Sequence, residues 1–73
     1  MDNVNDGIIA PNVLAVFPDG TVEVMPTGVA VRKAKAMGLD LVLIAPSAIP
    51  PVAKAIDYGQ WLRENKRRHR EEN

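Results

Sequence analysis

Apolar and polar positions alternate in several distinct rhythms along this 73-residue chain. Val13 to Phe17 is a β-branched apolar run, and from Thr21 to Met25 the residues Val22 and Val24 alternate with Thr21 and Glu23. Period-two alternation of β-branched residues is a strand pattern. Between the two runs lies Pro18-Asp19-Gly20, where proline presets φ and glycine permits a left-handed residue, so the pair is predicted to form a β-hairpin around a type I turn. Pro26-Thr27-Gly28 then opens a helix, with Thr27 or the residue before it at the N-cap and Gly38 as the stop. Ala30, Val31, Ala34 and Met37 share one face of that helix, while Arg32, Lys33 and Lys35 fall largely on the other. Met37 is expected to fill the core.

Leu39 to Ala45 is almost continuously apolar and ends at Pro46, which predicts a strand in the middle of the sheet. After Pro50-Pro51, which cannot be helical, Val52 to Ile56 predicts a further strand with Lys54 pointing outward. Asp57 can cap a new helix. From Tyr58 onward only Gly59 interrupts a run of good helix formers, and the apolar residues Tyr58, Trp61 and Leu62 lie in the first turns alone. The expected organisation is an extended lead-in over residues 1–12 with Ile8 and Ile9 docking on the body, an α+β body over 13–57, and a basic C-terminal helix over 58–73. Residues 45–59 form the junction between body and departing helix.

Composition narrows this picture. A chain this short buries only about 60% of its unfolded surface, so its core is small. One Phe, one Tyr and one Trp leave that core to aliphatic side chains packed against a sheet. With no cysteine, neither a disulfide framework nor a thiolate zinc site supplies stability. Met1 to Asp6 is polar and acidic, without the features of a signal peptide, and no apolar run reaches spanning length. The expectation is a cytoplasmic protein without a membrane partner. Nine basic and nine acidic groups cancel, yet they are segregated. Arg63, Lys66, Arg67, Arg68 and Arg70 crowd the last residues against Glu64, Glu71 and Glu72. Such an arm suits an anionic partner, nucleic acid above all, although a solvated helix end reads the same way.

Candidate chemistry changes little. His69, the one histidine, stands among cations that disfavour its protonated form, and it has no acid partner in sequence. Ser47, Thr21 and Thr27 have no paired base. No phosphate-cradling glycine pattern, calcium loop or metal cluster occurs, so no catalytic residue, metal or cofactor is expected. Binding remains. Tyr58 and Trp61 are three apart and share a helix face, and the row 63, 67 and 70 continues along it. Stacked on bases or sugars, the rings would sit beside guanidinium groups that take phosphates; alternatively they anchor the helix to the sheet.

Several segments resemble the N-terminal domain of bacterial translation initiation factor three. The residues that carry this are Asn5-Asp6 with Ile8, Asp19-Gly20, Ala30 and Ala34, Gly38-Leu39-Asp40-Leu41-Val42, Ala45-Pro46, Pro50-Pro51-Val52, Lys54 and Asp57-Tyr58-Gly59. The resemblance implies one helix on a four-stranded mixed sheet, followed by a basic helical linker to a second domain. It also implies binding to the small ribosomal subunit, through ribosomal RNA and protein and close to initiator tRNA, with a part in start-site fidelity. Lys54, Tyr58, Arg63, Lys66, Arg67, Arg68 and Arg70 are the expected contact residues; Pro50, Pro51, Asp57 and Gly59 are the structural motif. The chain departs from the family pattern at Leu14, where Arg is usual, at Leu43 for Glu, at Ile49 for Lys and at Ala53 for Cys. Gln60, Trp61 and Arg63 likewise replace a Lys, an aromatic and a second Tyr. Apolar residues at 14, 43 and 49 suggest the alternative of a protein-interaction or self-associating module that keeps the fold without RNA binding.

Overall fold

The structure, a computed structural model, describes residues 3–64. Its elements follow in the order β1 (Asn12–Val16), β2 (Val22–Pro26), α1 (Thr27–Ala36), β3 (Asp40–Ala45) and β4 (Val52–Ile56). The strands form one sheet in the order β2-β1-β4-β3. β1 runs antiparallel to β2 and parallel to β4, and β4 runs antiparallel to β3. This is the expected α+β architecture of one helix on a four-stranded mixed sheet.

Local chemistry sets the ends of the elements. At the hairpin, the Gly20 amide donates to the Phe17 carbonyl at 3.1 Å and the Phe17 amide to Thr21 at 2.9 Å. Gly20 has φ +95°, a conformation that side chains rarely adopt. Pro26 occupies the position before α1 and gives it no side-chain cap. Thr27, the other cap candidate, is instead the first helical residue; its hydroxyl donates to Ala10 and its amide to Pro11, which ties the helix start to the lead-in. The helix stops as predicted at Gly38, φ +74°, whose amide donates to Lys35 at 2.9 Å.

Alternation along the strands divides the sheet. Val13, Ala15, Phe17, Leu41, Ala53 and Ala55 pack with Ala30, Val31 and Ala34 of α1 into the buried core. Alanines on both sides of this interface allow a close approach, and the fully buried Val13 and Leu41 each contribute about 1.5–3 kcal/mol. On the opposite face the register aligns two cross-strand rows: Val22, Val16, Lys54 and Val42, then Val24, Leu14, Val52 and Ala45. Exposure along the first row falls from 59% at Val22 to 1% at Val42.

Three expectations need correction. Met37 is exposed, because the helix has already ended beside it, and Leu39 packs against the core instead. β3 lies at an edge, not in the middle, because the parallel pairing of β4 with β1 places β3 outermost. Its apolar sequence reflects a different cover: Val4 bridges to Val42, and the Leu43 amide donates to the Asn3 carbonyl at 2.7 Å. Val42 is only 1% exposed. The lead-in is correspondingly less extended than expected, with a 3-10 turn at Asn5–Gly7. Of its two isoleucines only Ile8 docks, 6% exposed against 96% for Ile9.

Candidate nucleic-acid interface

The junction between sheet and departing helix is built by backbone partners. The Leu14 amide donates to the Pro51 carbonyl at 2.8 Å, which sets β4 beside β1 immediately after the double proline; the Ile49-Pro50 bond is cis. β4 then delivers Lys54 to the open face, exposed between Val16 and Val42. Two residues past β4 the chain turns into a second helix, α2, described over residues 58–64.

Asp57 caps α2 as expected. Its Oδ1 accepts the Gln60 amide at 3.1 Å, and its carbonyl accepts the Trp61 amide at 2.9 Å. A carboxylate here satisfies a free helix N-H and suits the helix's positive end. At Gly59 an added Cβ would meet Asp57 Oδ1 at 3.4 Å and Arg63 Nη1 at 3.6 Å, both ordinary contacts, so space alone does not demand glycine. Gln60 donates to Glu64 at 3.2 Å one turn on.

The aromatic pair is stacked. The Tyr58 and Trp61 rings lie 5.9 Å apart with 18° between their planes, and both are half-buried. Their mutual packing shields part of each ring, which favours an anchoring contribution over two independent stacking platforms. Trp61 also lines a shallow concave surface with Lys54, Ile44, Ile56, Gln60 and Glu64. The structure therefore brings Lys54 together with Trp61, whereas Tyr58 and Arg63 do not line that surface. Arg63 is exposed on α2. Lys66, Arg67, Arg68 and Arg70, with His69, lie outside the described residues, as do the predicted Glu64-Arg68 and Arg67-Glu71 pairs.

Two lysines elsewhere are committed. Lys33 reaches Asp19 at 3.6 Å and Thr21 at 3.3 Å and lies 4.8 Å from the centre of the Phe17 ring, so it fastens α1 to the hairpin. Hydrogen bonds from Thr21, backbone first, and the charge of Lys33 hold the Asp19 carboxyl below its ordinary value. Lys35 pairs with Asp40 at 3.1 Å. Arg32, Lys54 and Arg63 make no ion pair among the described residues.

Sequence reasoning missed the network around Asn5. Asn5 Nδ2 donates to Asp40 at 3.0 Å, and its Oδ1 accepts the Leu41 amide at 2.8 Å. Asn5 is left-handed, φ +49°, which asparagine tolerates better than most residues. An Asn-Asp-Gly sequence was the available signal. Reasoning also grouped Leu14, Leu43 and Ile49 as one apolar patch, which the fold separates. Leu14 stands on the open face, Leu43 packs toward the helix side, and Ile49 is 99% exposed in the following loop.

Together these features define a small α+β domain, with a capped helix following the last strand of its sheet. The translation initiation factor IF-3 N-terminal domain family matches residues 4–72. A translation initiation factor IF-3 from Solibacter usitatus is 60% identical over 67 residues, covering 92% of this chain and 32% of the relative. Those of Borreliella burgdorferi and Borrelia turicatae are 42% and 39% identical over 69 residues, each covering 94% of this chain and 37% of the relative. The chain belongs to the IF-3 N-terminal domain family, and spans about a third of the length of these curated relatives. Translation initiation factors of this kind are not enzymes.

Proposed function

We propose that the chain is a cytoplasmic, non-enzymatic domain of a translation initiation factor that binds the small ribosomal subunit and contributes to start-site fidelity near initiator tRNA. Family membership across almost the whole chain carries this reading. The geometry supports a division of labour within it. The sheet and α1 form a rigid body, and Asp57 fixes the direction of α2. Tyr58 and Trp61 hold the helix start, while Arg63, Lys66, Arg67, Arg68 and Arg70 meet the phosphates of ribosomal RNA. Lys54 meets the ribosome from the sheet. Residues 58–73 are then the beginning of a basic connector, with residues 13–57 as the body.

Co-sedimentation with purified small ribosomal subunits across a salt series tests this. Each phosphate contact contributes about 0.7–0.9 to the slope of log affinity against log salt. Reversing the row Arg63→Glu, Arg67→Glu and Arg70→Glu is expected to lower that slope by about 2 to 3 and to weaken binding at every salt concentration. An affinity that is flat from low to moderate salt, or no binding by the unmodified chain, would overturn the proposal.

A further inference from the structure

The two ends of the sheet differ in chemistry. At the end where β4 finishes and α2 begins lie Asp57, the hairpin turn with Asp19, and Asp40 at the start of β3. At the opposite end three stretches meet: residues 9–12 entering β1, residues 26–29 between β2 and α1, and residues 45–51 between β3 and β4. Thr27 ties the second to the first through Ala10 and Pro11, and the Leu14 amide ties the third to β1 through Pro51. None of these residues carries a charge. Ile9 and Ile49 are almost wholly exposed there, and Val29 is 42% exposed. An apolar patch of this kind on a small domain marks a contact surface.

The end presents both halves of an apolar contact. A groove of about 450 Å³ is lined by Ile9, Ala10, Leu43, Pro46 and Pro51, with Asn3 the one polar side chain in its wall. Ile49 stands on the loop between the two prolines of that wall, yet it does not fill the groove and is 99% exposed. Pro50 and Pro51 restrict the loop on one side of it, and the Ala48 amide donates to the Ala45 carbonyl at 3.3 Å on the other. Ile49 is thus a projecting aliphatic side chain beside a recess of matching chemistry. Charge selects the occupant. Phosphates find no cation in the groove; Arg32 Nη1 lies 3.7 Å from where a Cβ of Gly28 would stand, at the rim, and does not line it. A foreign surface with a charge at the contact would lose its water without gaining a partner. A second copy brings no such charge among the described residues, and it brings the isoleucine that the groove lacks. Two-fold pairing is self-complementary, so each copy gives Ile49 and receives one. It also leaves both α2 helices uncovered, because they leave from the far ends.

We propose that the chain forms a weak homodimer through this charge-free end, with Ile49 of each copy seated in the other's groove. The contact is small, which places the dissociation constant on the order of 0.1 mM. The inference stands apart from the ribosome reading, since neither requires the other.

Sedimentation equilibrium of the chain from about 10 µM to about 1 mM tests it. The mean mass should rise from 8.0 kDa toward twice that value. Ile49→Lys and Ile9→Asp, both at exposed positions, should each weaken association about tenfold or more, with thermal melts of the dilute protein unchanged. An equimolar mixture of the two variants should associate again: the new ammonium meets the new carboxylate at one contact, and the other contact is unaltered. Val24→Lys, on β2, should associate as wild type. A mass of 8.0 kDa at every concentration would overturn the proposal, as would Ile49→Lys that associates like wild type or a mixture no better than its components. Loss of association in Val24→Lys would place the contact on the β2 edge instead, and association abolished by moderate salt would make it a pairing of opposite charges; either result overturns the proposal too.

Discussion

The two edges of this sheet face the same physical problem and are finished differently. An edge strand leaves a row of backbone N-H and C=O groups without partners, ready to pair with any extended chain. At β3 the chain's own beginning closes the row. Leu43 donates to Asn3, Leu41 to the Asn5 side chain, and Val4 bridges to Val42. At β2 no described segment closes it. Because the Phe17-Thr21 hydrogen bond sets the alternation of the hairpin, the amides of Val22 and Val24 point away from β1. That edge is only five residues long, carries the exposed Glu23 and ends at Pro26, three features that discourage pairing. One edge is protected by tertiary structure and the other by local sequence, so the first should respond to distant substitutions and the second should not.

Removing the anchor of the cover gives the largest expected effect. Ile8 is 6% exposed within the core cluster, and Ile8→Ala should cost about 2–4 kcal/mol through lost burial and a cavity. For a domain whose whole stability is on the order of 4–11 kcal/mol, that is a large fraction. Ile9→Ala, at a position 96% exposed, should stay within about 0.5 kcal/mol. Urea unfolding of the two variants checks this, and equal losses would show that the lead-in is not anchored by one residue.

Releasing the cover without touching the core comes next. Asn5→Ala deletes the bonds to Leu41 and Asp40 and places a Cβ-bearing residue without a local side-chain partner at φ +49°, so about 1–3 kcal/mol should be lost. Asn5→Gly keeps the backbone conformation easy and isolates the hydrogen-bond share. Amide hydrogen exchange reads the comparison between edges directly. Protection of Leu41 and Leu43 should fall in both variants, while Val22 and Val24 exchange fast in every form. Protection at Leu43 that survives in Asn5→Ala would mean that the cover is held from elsewhere.

The same contrast explains what the sequence disclosed. The hairpin, α1 with its Gly38 stop, both later strands and the Asp57 cap are local devices, and each left a signal within a few residues. Strand order did not. Leu39 to Ala45 looked central because its run is almost continuously apolar, yet the strand lies at an edge whose backbone is met by residues far away in sequence. Met37 was misplaced because helical spacing continues on paper past the residue where the helix stops. The apolar patch was misdrawn for a related reason. Leu14 and Leu43 fall on opposite faces only once β4 is set between their strands, and that register depends on the Leu14-Pro51 bond. Of the proposed contact residues, Lys54 was legible from simple alternation, whereas its place between Val16 and Val42 required the pairing of β4 with both of its neighbours.

The smallest expected effect is electrostatic and belongs to the covered edge alone. The Asp40 carboxyl is held below its ordinary value of 3.8, first by the hydrogen bond from Asn5 and then by Lys35. A carboxyl whose folded value is depressed binds protons more readily when unfolded, so its contribution is complete above the ordinary value and disappears as pH falls through the folded one. Between about pH 5 and about pH 2.5, wild type should therefore lose a few tenths of a kcal/mol more than Asp40→Asn, a small figure because the pair is partly exposed and screened. Asp19, also depressed, is common to both proteins and cancels from the difference. In the Asn5→Ala background the difference should shrink toward what Lys35 alone supports. If it does not shrink, Asp40 is sensed through the ion pair and not through the cover, and the covered edge has no pH dependence of its own.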